Sequence, residues 1–340
     1  MGRYETASVA TRTIWGLLAG LFVALGVGLA TTDFSFRLDG ALGSSVASIA
    51  ALMGAGHIAR QTSFARQAHA LTAIAQLMIL FLLAPALTHI VASASFPFVD
   101  GPLAAIDRLL GLDWLEYFQF IYDRPALVPY LYLGYAMITW PIIVIPTLLG
   151  FAGYVDHLNR FTLACVLTVV MTVAISIFVP ALGTYHHYGV SPDFGVLRPS
   201  GYLVQIEQLP RLRDGTLRVL QVGSLGGVIA FPSFHAAAAV LSLWGLWRLW
   251  WARPLATIAN GGMLLATPII GGHHFIDVLA GVAVAVLAIH AADRIGSRER
   301  AVESEQKLAG PIFWAVMAVF SRTGGPSAEW ISPERPGDLP

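Results

Sequence analysis

The sequence predicts an all-α fold: a polytopic membrane bundle of about eight transmembrane helices with one further helix at the interface. Three observations predict it. Apolar side chains make up 56% of the 340 residues and charged ones only 12%, about half the charged share of a soluble domain. Mean hydropathy is +0.69. The apolar residues also gather in runs near the ~20 residues that a helix needs to cross the hydrocarbon core. So much apolar surface has no place in water, which excludes a soluble α/β enzyme. Formal net charge is zero, so there is no excess of cations for a phosphate backbone and no nucleic-acid partner is expected. The only cysteine, Cys165, lies inside an apolar run, which leaves no disulfide and no cysteine-rich metal site.

The spans follow in order. Ile14 to Ala30 is the first, and it is expected to stay as an anchor rather than be cleaved, because further spans follow it. Ala41 to Ala55 is rich in Gly, Ala and Ser, which suits close helix packing in a bilayer. Leu71 to Ala92 spans despite Pro85. From Leu103 to Ile121, apolar residues recur at 103, 106, 110, 114, 117 and 121, with Asp107, Arg108, Asp113, Glu116 and Gln119 between them. That spacing predicts an amphipathic helix lying at the interface or packed outside the bundle. Leu127 to Leu149 is the fourth span, its end kinked by Pro141 and Pro146, and Phe161 to Leu182 the fifth. A long polar segment, 183–231, precedes Ser233 to Trp251, Leu255 to Ile270 and Asp277 to Ala292. One membrane-embedded unit is therefore expected over 1–293, its motif core at 183–293. A cytoplasmic tail over 294–340, partly disordered by composition, follows it. The Ile312 to Phe320 run in that tail is too short to cross.

Eight spans put both termini on one side. The termini and the turns on their side hold 13 of the 20 Lys and Arg, so the positive-inside rule places them in the cytoplasm. Trp244, Trp247, Trp250 and Trp251 gather at the inner end of the sixth span, as an interfacial belt would. A cell membrane, multi-pass, is the expected location. One lysine against nineteen arginines suggests a high-GC genome and a bacterial inner membrane.

Two polar clusters then meet at the outer face. Phe231-Pro232-Ser233-Phe234-His235 opens the sixth span, and His273-His274-Phe275-Ile276-Asp277 opens the eighth. The hairpin between them returns the chain to the same side. Free N–H groups at a helix start attract anions, and Ser233 also has the character of a plain cap. Asp277 follows His273 by four residues and His274 by three. Either spacing lets the carboxylate hold an imidazole as nucleophile or base. His235 could then protonate a leaving oxygen. Such a set suits phosphoryl transfer, where positioning and electrostatics supply most of the catalysis.

Pro232-Ser233-Phe234-His235 followed by His273-x-x-x-Asp277 resembles the second and third motifs of the type 2 phosphatidic-acid phosphatase superfamily. The resemblance implies His273 as nucleophile, Asp277 as its orienting carboxylate, His235 as acid, Ser233 as a phosphate holder, and no metal or other cofactor. Two departures stand out. Ala266-Thr267 occupies the place of the family's Ser-Arg. Its Lys-x6-Arg-Pro motif is matched only by Arg198-Pro199, with Ser191 where the lysine would be. Ala-Thr ahead of His-His-aromatic-x-Asp is similar to the inositol phosphorylceramide synthase branch, whose members transfer a phospho-headgroup between lipids.

A membrane lipid is thus the expected substrate, with a lipid or polyol as acceptor in the inositolphosphotransferase-like reading. Water is the acceptor in the plain lipid-phosphate or polyprenyl-diphosphate phosphatase reading. The missing cations turn attention to Arg198 and then Arg218 as phosphate binders, with His274 beside them. His186 and His187 are expected to be ordinary loop histidines, and His89 and His290 to be satisfied by neighbours. A histidine-rich haem or metal carrier is the rival from another class; its histidines would lie at mid-depth rather than at helix ends.

Overall fold

The computed structural model describes residues 8–191 and 197–297; the terminal run at 312–320 and nearly all of the expected tail lie outside them. Among these residues the chain is almost wholly helical. α1 (Val9–Thr31), α2 (Gly40–Arg60), α3 (Ala65–Ala92) and α8 (Val155–Phe178) are each long and apolar enough to cross a membrane. So is α13 (Phe275–Ser297). The protein is a multi-pass membrane bundle. α3 lies at its centre, packed on α1, α2, α8 and the helix Pro141–Phe151.

Local chemistry explains the limits of these helices. Ser8 and Asp39 cap α1 and α2, each accepting an N–H three residues on, as short polar side chains do at helix starts. α8 begins six residues before the expected Phe161 because its polar first turns find partners: His157 bonds the carbonyls of Trp244 and Gly245, and Arg160 pairs with Asp293 at 2.9 Å. It ends at Phe178, just ahead of Pro180, since a proline disfavours helical backbone in the residue before it.

Three expectations change. The fourth span is two helices, α6 (Val128–Ala136) and α7 (Pro141–Phe151), bent by 60°. Pro141 sits at the first turn of α7, where its missing N–H costs nothing. The hairpin after the polar segment is short: α11 (Phe234–Leu246) has 13 residues, ~20 Å of helix, and α12 (Arg253–Ile270) has 18. Among the described residues, five helices, or six with the bent pair, are long and apolar enough to cross, where about eight spans are expected from the sequence. α12 packs one face against α6 and α11. At its crossing with α6, a Cβ on Gly134 would come within 2.6 Å of the Gly262 carbonyl, so small residues set that approach.

The third change concerns Leu103 to Ile121. Gly111, at φ +72°, divides it into α4 (Asp100–Leu109) and α5 (Trp114–Tyr122). Leu103, Trp114 and Ile121 are buried, but Leu110 is 53% exposed and Asp107 is fully buried. The face read as polar turns inward at Asp107. α9 (Thr184–His187) and α10 (Ser200–Arg213) occupy the polar segment. Aromatic side chains then tie down the end of α12. Trp114 Nε1 donates to the Pro268 carbonyl at 3.0 Å, the Tyr185 hydroxyl to Ile269 at 2.9 Å, and the Tyr117 hydroxyl to Leu265 at 2.8 Å. The Pro268 and Ile269 carbonyls are among the acceptors that a helix end leaves free.

Candidate active site

Beyond α12 the chain turns through Gly271 and Gly272 into His273. Gly272 has φ +67°, and a Cβ there would press on the Tyr202 ring at 2.8 Å; both conformation and space require glycine. The Gly272 carbonyl accepts from Thr184 N–H at 2.8 Å, which fixes the turn against the start of α9.

His273 is 4% exposed, and its Nδ1 lies 3.4 Å from Asp277 Oδ2. Asp277 is fully buried in the first turn of α13, and the same oxygen accepts the His274 N–H at 2.9 Å. This is half of a capping box, a carboxylate reaching back to the helix start. The two spacings therefore separate: Asp277 faces the ring of His273 and the backbone of His274.

The His274 ring goes elsewhere. It is fully buried, with Nε2 3.4 Å from Asp100 Oδ1 and Nδ1 3.8 Å from Asp107 Oδ2. It is not among the residues that line the cavity described next, so the structure does not bring it to the phosphate position expected of it. Asp100 also accepts from Leu182 and Gly183 N–H at 3.0 and 2.7 Å. Burial raises the Asp100 carboxyl, but the bonds from His274, Leu182 and Gly183 outweigh it and hold it below the usual carboxylate range. Burial carries Asp107 above that range, against the pull of the Phe275 and Ile276 N–H groups.

Ser233 caps α11. Its Oγ accepts the Ala236 N–H at 3.4 Å, and its own N–H donates to the Asp277 carbonyl at 3.0 Å. The starts of α11 and α13 are thereby tied directly. A Cβ on Gly281 would collide with the Ser233 carbonyl, so glycine permits that approach. His235, one residue into α11, stacks on Tyr135 of α6 with centroids 3.8 Å apart.

His235 and His273 both line a cavity of about 340 Å³. Its other walls come from α3, the α6–α7 bend, α8, α10 and the 225–229 loop. Thr88, Tyr135, Thr139, Thr172 and Gln205 are the remaining polar lining, and no described residue in the wall is Arg, Lys, Asp or Glu. Gly226 and Gly227 line it too.

The arginines lie outside that wall. Arg198 is exposed, its backbone N–H and carbonyl both bonded to the Tyr132 hydroxyl at 2.6 Å. Arg218 donates to the Leu212 carbonyl at 2.6 Å and covers the Phe34 ring; the structure does not bring it together with the histidines. Ala266 and Thr267 are buried, and the Thr267 hydroxyl bonds Met263 within α12. His89 bonds Pro85 and Gln208, and His290 bonds Val286. Among the described residues, no three His, Cys, Asp or Glu side chains are arranged to hold a metal ion.

A family model described as PAP2 superfamily matches residues 101–291, more than half of the chain. The chain belongs to the PAP2 superfamily. No curated protein and no solved structure matches it. PAP2 members are phosphatases and phosphotransferases, and a phosphoryl-transferring membrane enzyme is the general class to which this chain is assigned. The PAP2 match takes in His235, His273, Asp277 and Asp107, while Asp100 falls one residue before it. Nothing in the sequence singles out Tyr135. The one available signal for the acidic pair was that Asp100 and Asp107 are two helical turns apart, on one face.

Proposed function

We propose that this enzyme moves a phosphoryl or phospho-headgroup from a membrane lipid phosphate ester through a phosphohistidine on His273. The observation that carries it is the pair of imidazoles on one cavity with a buried carboxylate 3.4 Å behind one of them. His273 attacks phosphorus with its ring nitrogen remote from Asp277, and the bond from phosphorus to the leaving oxygen breaks. His235 gives that oxygen its proton. An acceptor O–H then returns a proton to His235 as its oxygen attacks phosphorus and the P–N bond breaks. Asp277 holds the His273 tautomer and stabilises the charge that develops. Arg198 is the proposed cation for the phosphate, its backbone held by Tyr132, one turn before the Tyr135 that stacks on His235.

For the acceptor we favour an alcohol, in the manner of an inositolphosphotransferase. Ala266-Thr267 in place of Ser-Arg and the uncharged cavity wall support it, because a dianionic monoester calls for more cations than a monoanionic diester. The count of basic residues supports an outward-facing site in a bacterial inner membrane.

The test offers the solubilised protein a panel of lipid phosphates and phosphodiesters, with and without inositol or lipid alcohols. Both free phosphate and new lipid are followed. New lipid that depends on the alcohol is expected. Free phosphate alone replaces the transfer reading with the phosphatase reading, and full activity in His273→Ala removes the mechanism.

A further inference from the structure

We propose that Asp107 is a positioning residue: reaching from α4, it fixes the start of α13 and with it the geometry of His273 and Asp277. The inference rests on the reading of His273 as nucleophile. A helix leaves its first N–H groups without intrahelical acceptors, and α13 begins in the middle of the site. Phe275 N–H donates to Asp107 Oδ2 at 2.8 Å and Ile276 N–H to Oδ1 at 2.7 Å. The neighbouring N–H groups are taken locally, His274 by Asp277 at 2.9 Å and Asp277 by the His274 carbonyl at 3.1 Å. Half of this helix start is therefore satisfied from 168 and 169 residues away in the chain. The carboxyl also stands at the positive end of the α13 dipole.

An ordinary cap comes from the residue at the helix start itself. Here that residue is His274, and its ring turns to Asp100 and Asp107 instead. Asp100 in turn holds the Leu182 and Gly183 N–H groups, and Thr184 N–H holds the Gly272 carbonyl beside His273. The contacts form a closed ring: α4, the segment at 182–184, Gly272, His273, α13, and back to α4. His273 is the residue just outside the helix and Asp277 is inside its first turn. A shift of the start therefore changes their separation directly. Misplacing a reacting group by about 1 Å costs about a hundredfold in rate.

The test uses the full-length enzyme in detergent, with the lipid panel of the preceding section. kcat, KM, thermal unfolding and the acid-labile phosphohistidine signal in ³¹P spectra are read for Asp107→Asn, Asp107→Glu, Asp100→Asn and His273→Ala. The carboxamide oxygen of Asp107→Asn replaces only one of the two acceptors. We expect its kcat to fall roughly 10- to 100-fold with KM within about threefold, the phosphohistidine forming more slowly, and Asp107→Glu recovering part of the loss. Asp100→Asn falls less, by roughly three- to tenfold, again in kcat. Folded Asp107→Asn with unchanged kcat overturns the inference; if that variant does not fold, unchanged kcat in Asp100→Asn does. Residual turnover in His273→Ala instead removes the underlying reading of the site. Inactive His273→Ala beside fully active Asp107→Asn removes only the positioning role.

Discussion

Two helix starts face one another across this site, and they are finished in opposite ways. At α13 the free N–H groups are filled by the protein's own carboxylates, Asp107 and Asp277. At α11 only Ser233 caps, and the N–H groups of Phe234 and His235 have no protein acceptor among the described residues. Both starts carry the dipole that favours an anion, but only the α11 start keeps N–H groups without a protein acceptor among the described residues. The filled start holds His273, the proposed nucleophile, and the open one holds His235, the proposed acid, both on the cavity wall. The same backbone chemistry is closed at one start and open at the other, according to whether an aspartate reaches it.

Substitutions can break this contrast, and the largest effect is expected at the filled start. His273→Gln should lower kcat/KM by at least roughly a thousandfold and abolish the phosphohistidine signal, while thermal unfolding stays near that of the parent. At the open start, His235→Gln should slow phosphoenzyme formation by roughly 10²- to 10⁴-fold. An ester with a nitrophenol leaving group, which departs without a proton, should recover most of that loss. If it does not, His235 is not the acid.

The seam between the two starts is tested by Gly281→Ala. Its Cβ meets the Ser233 carbonyl, and we expect about 1–3 kcal/mol of lost stability with a fall in kcat, because α11 and α13 must part. Ser233→Ala keeps that seam, since the seam uses the Ser233 backbone. It should cost only about 1 kcal/mol. Equal losses in the two variants would show that the cap, rather than the approach of the helices, matters.

The smallest effect is on pH. The Asp100 carboxyl is held below its usual range in the folded chain, so its contribution is present in full above the unfolded value of about 4. It is lost as the pH falls through the lower folded value. Thermal unfolding followed from pH 6 to pH 3 should show this decline, and Asp100→Asn should flatten it.

Much of this was legible in sequence. The long apolar runs became helices because a bilayer leaves the backbone no partner but itself. The four-residue step from His273 to Asp277 survives as a contact because a helix start lies between them. Ala266 and Thr267 already announced that no arginine stands behind the site. Other features were not legible. Hydropathy counts residues, so it scored the α11–α12 hairpin as two full crossings although α11 has 13 residues. Periodicity sorts residues by polarity, so it put Asp107 on the water face; a buried aspartate can face inward when N–H groups wait for it there.

The sequence by itself determined the bundle, the membrane and the superfamily motifs, with the spacing that singles out His235, His273 and Asp277. These rest on local spacing and on composition, which are properties of the chain taken in order. Only the tertiary structure decided that the His274 ring lies against Asp100 and Asp107 and outside the cavity wall, that Arg218 is occupied against Phe34 and Leu212, and that Tyr135 backs His235. Each of these is a contact between segments far apart in the chain. Such partners are chosen by which buried donors and acceptors fall within reach once the helices pack, and no local pattern records that choice.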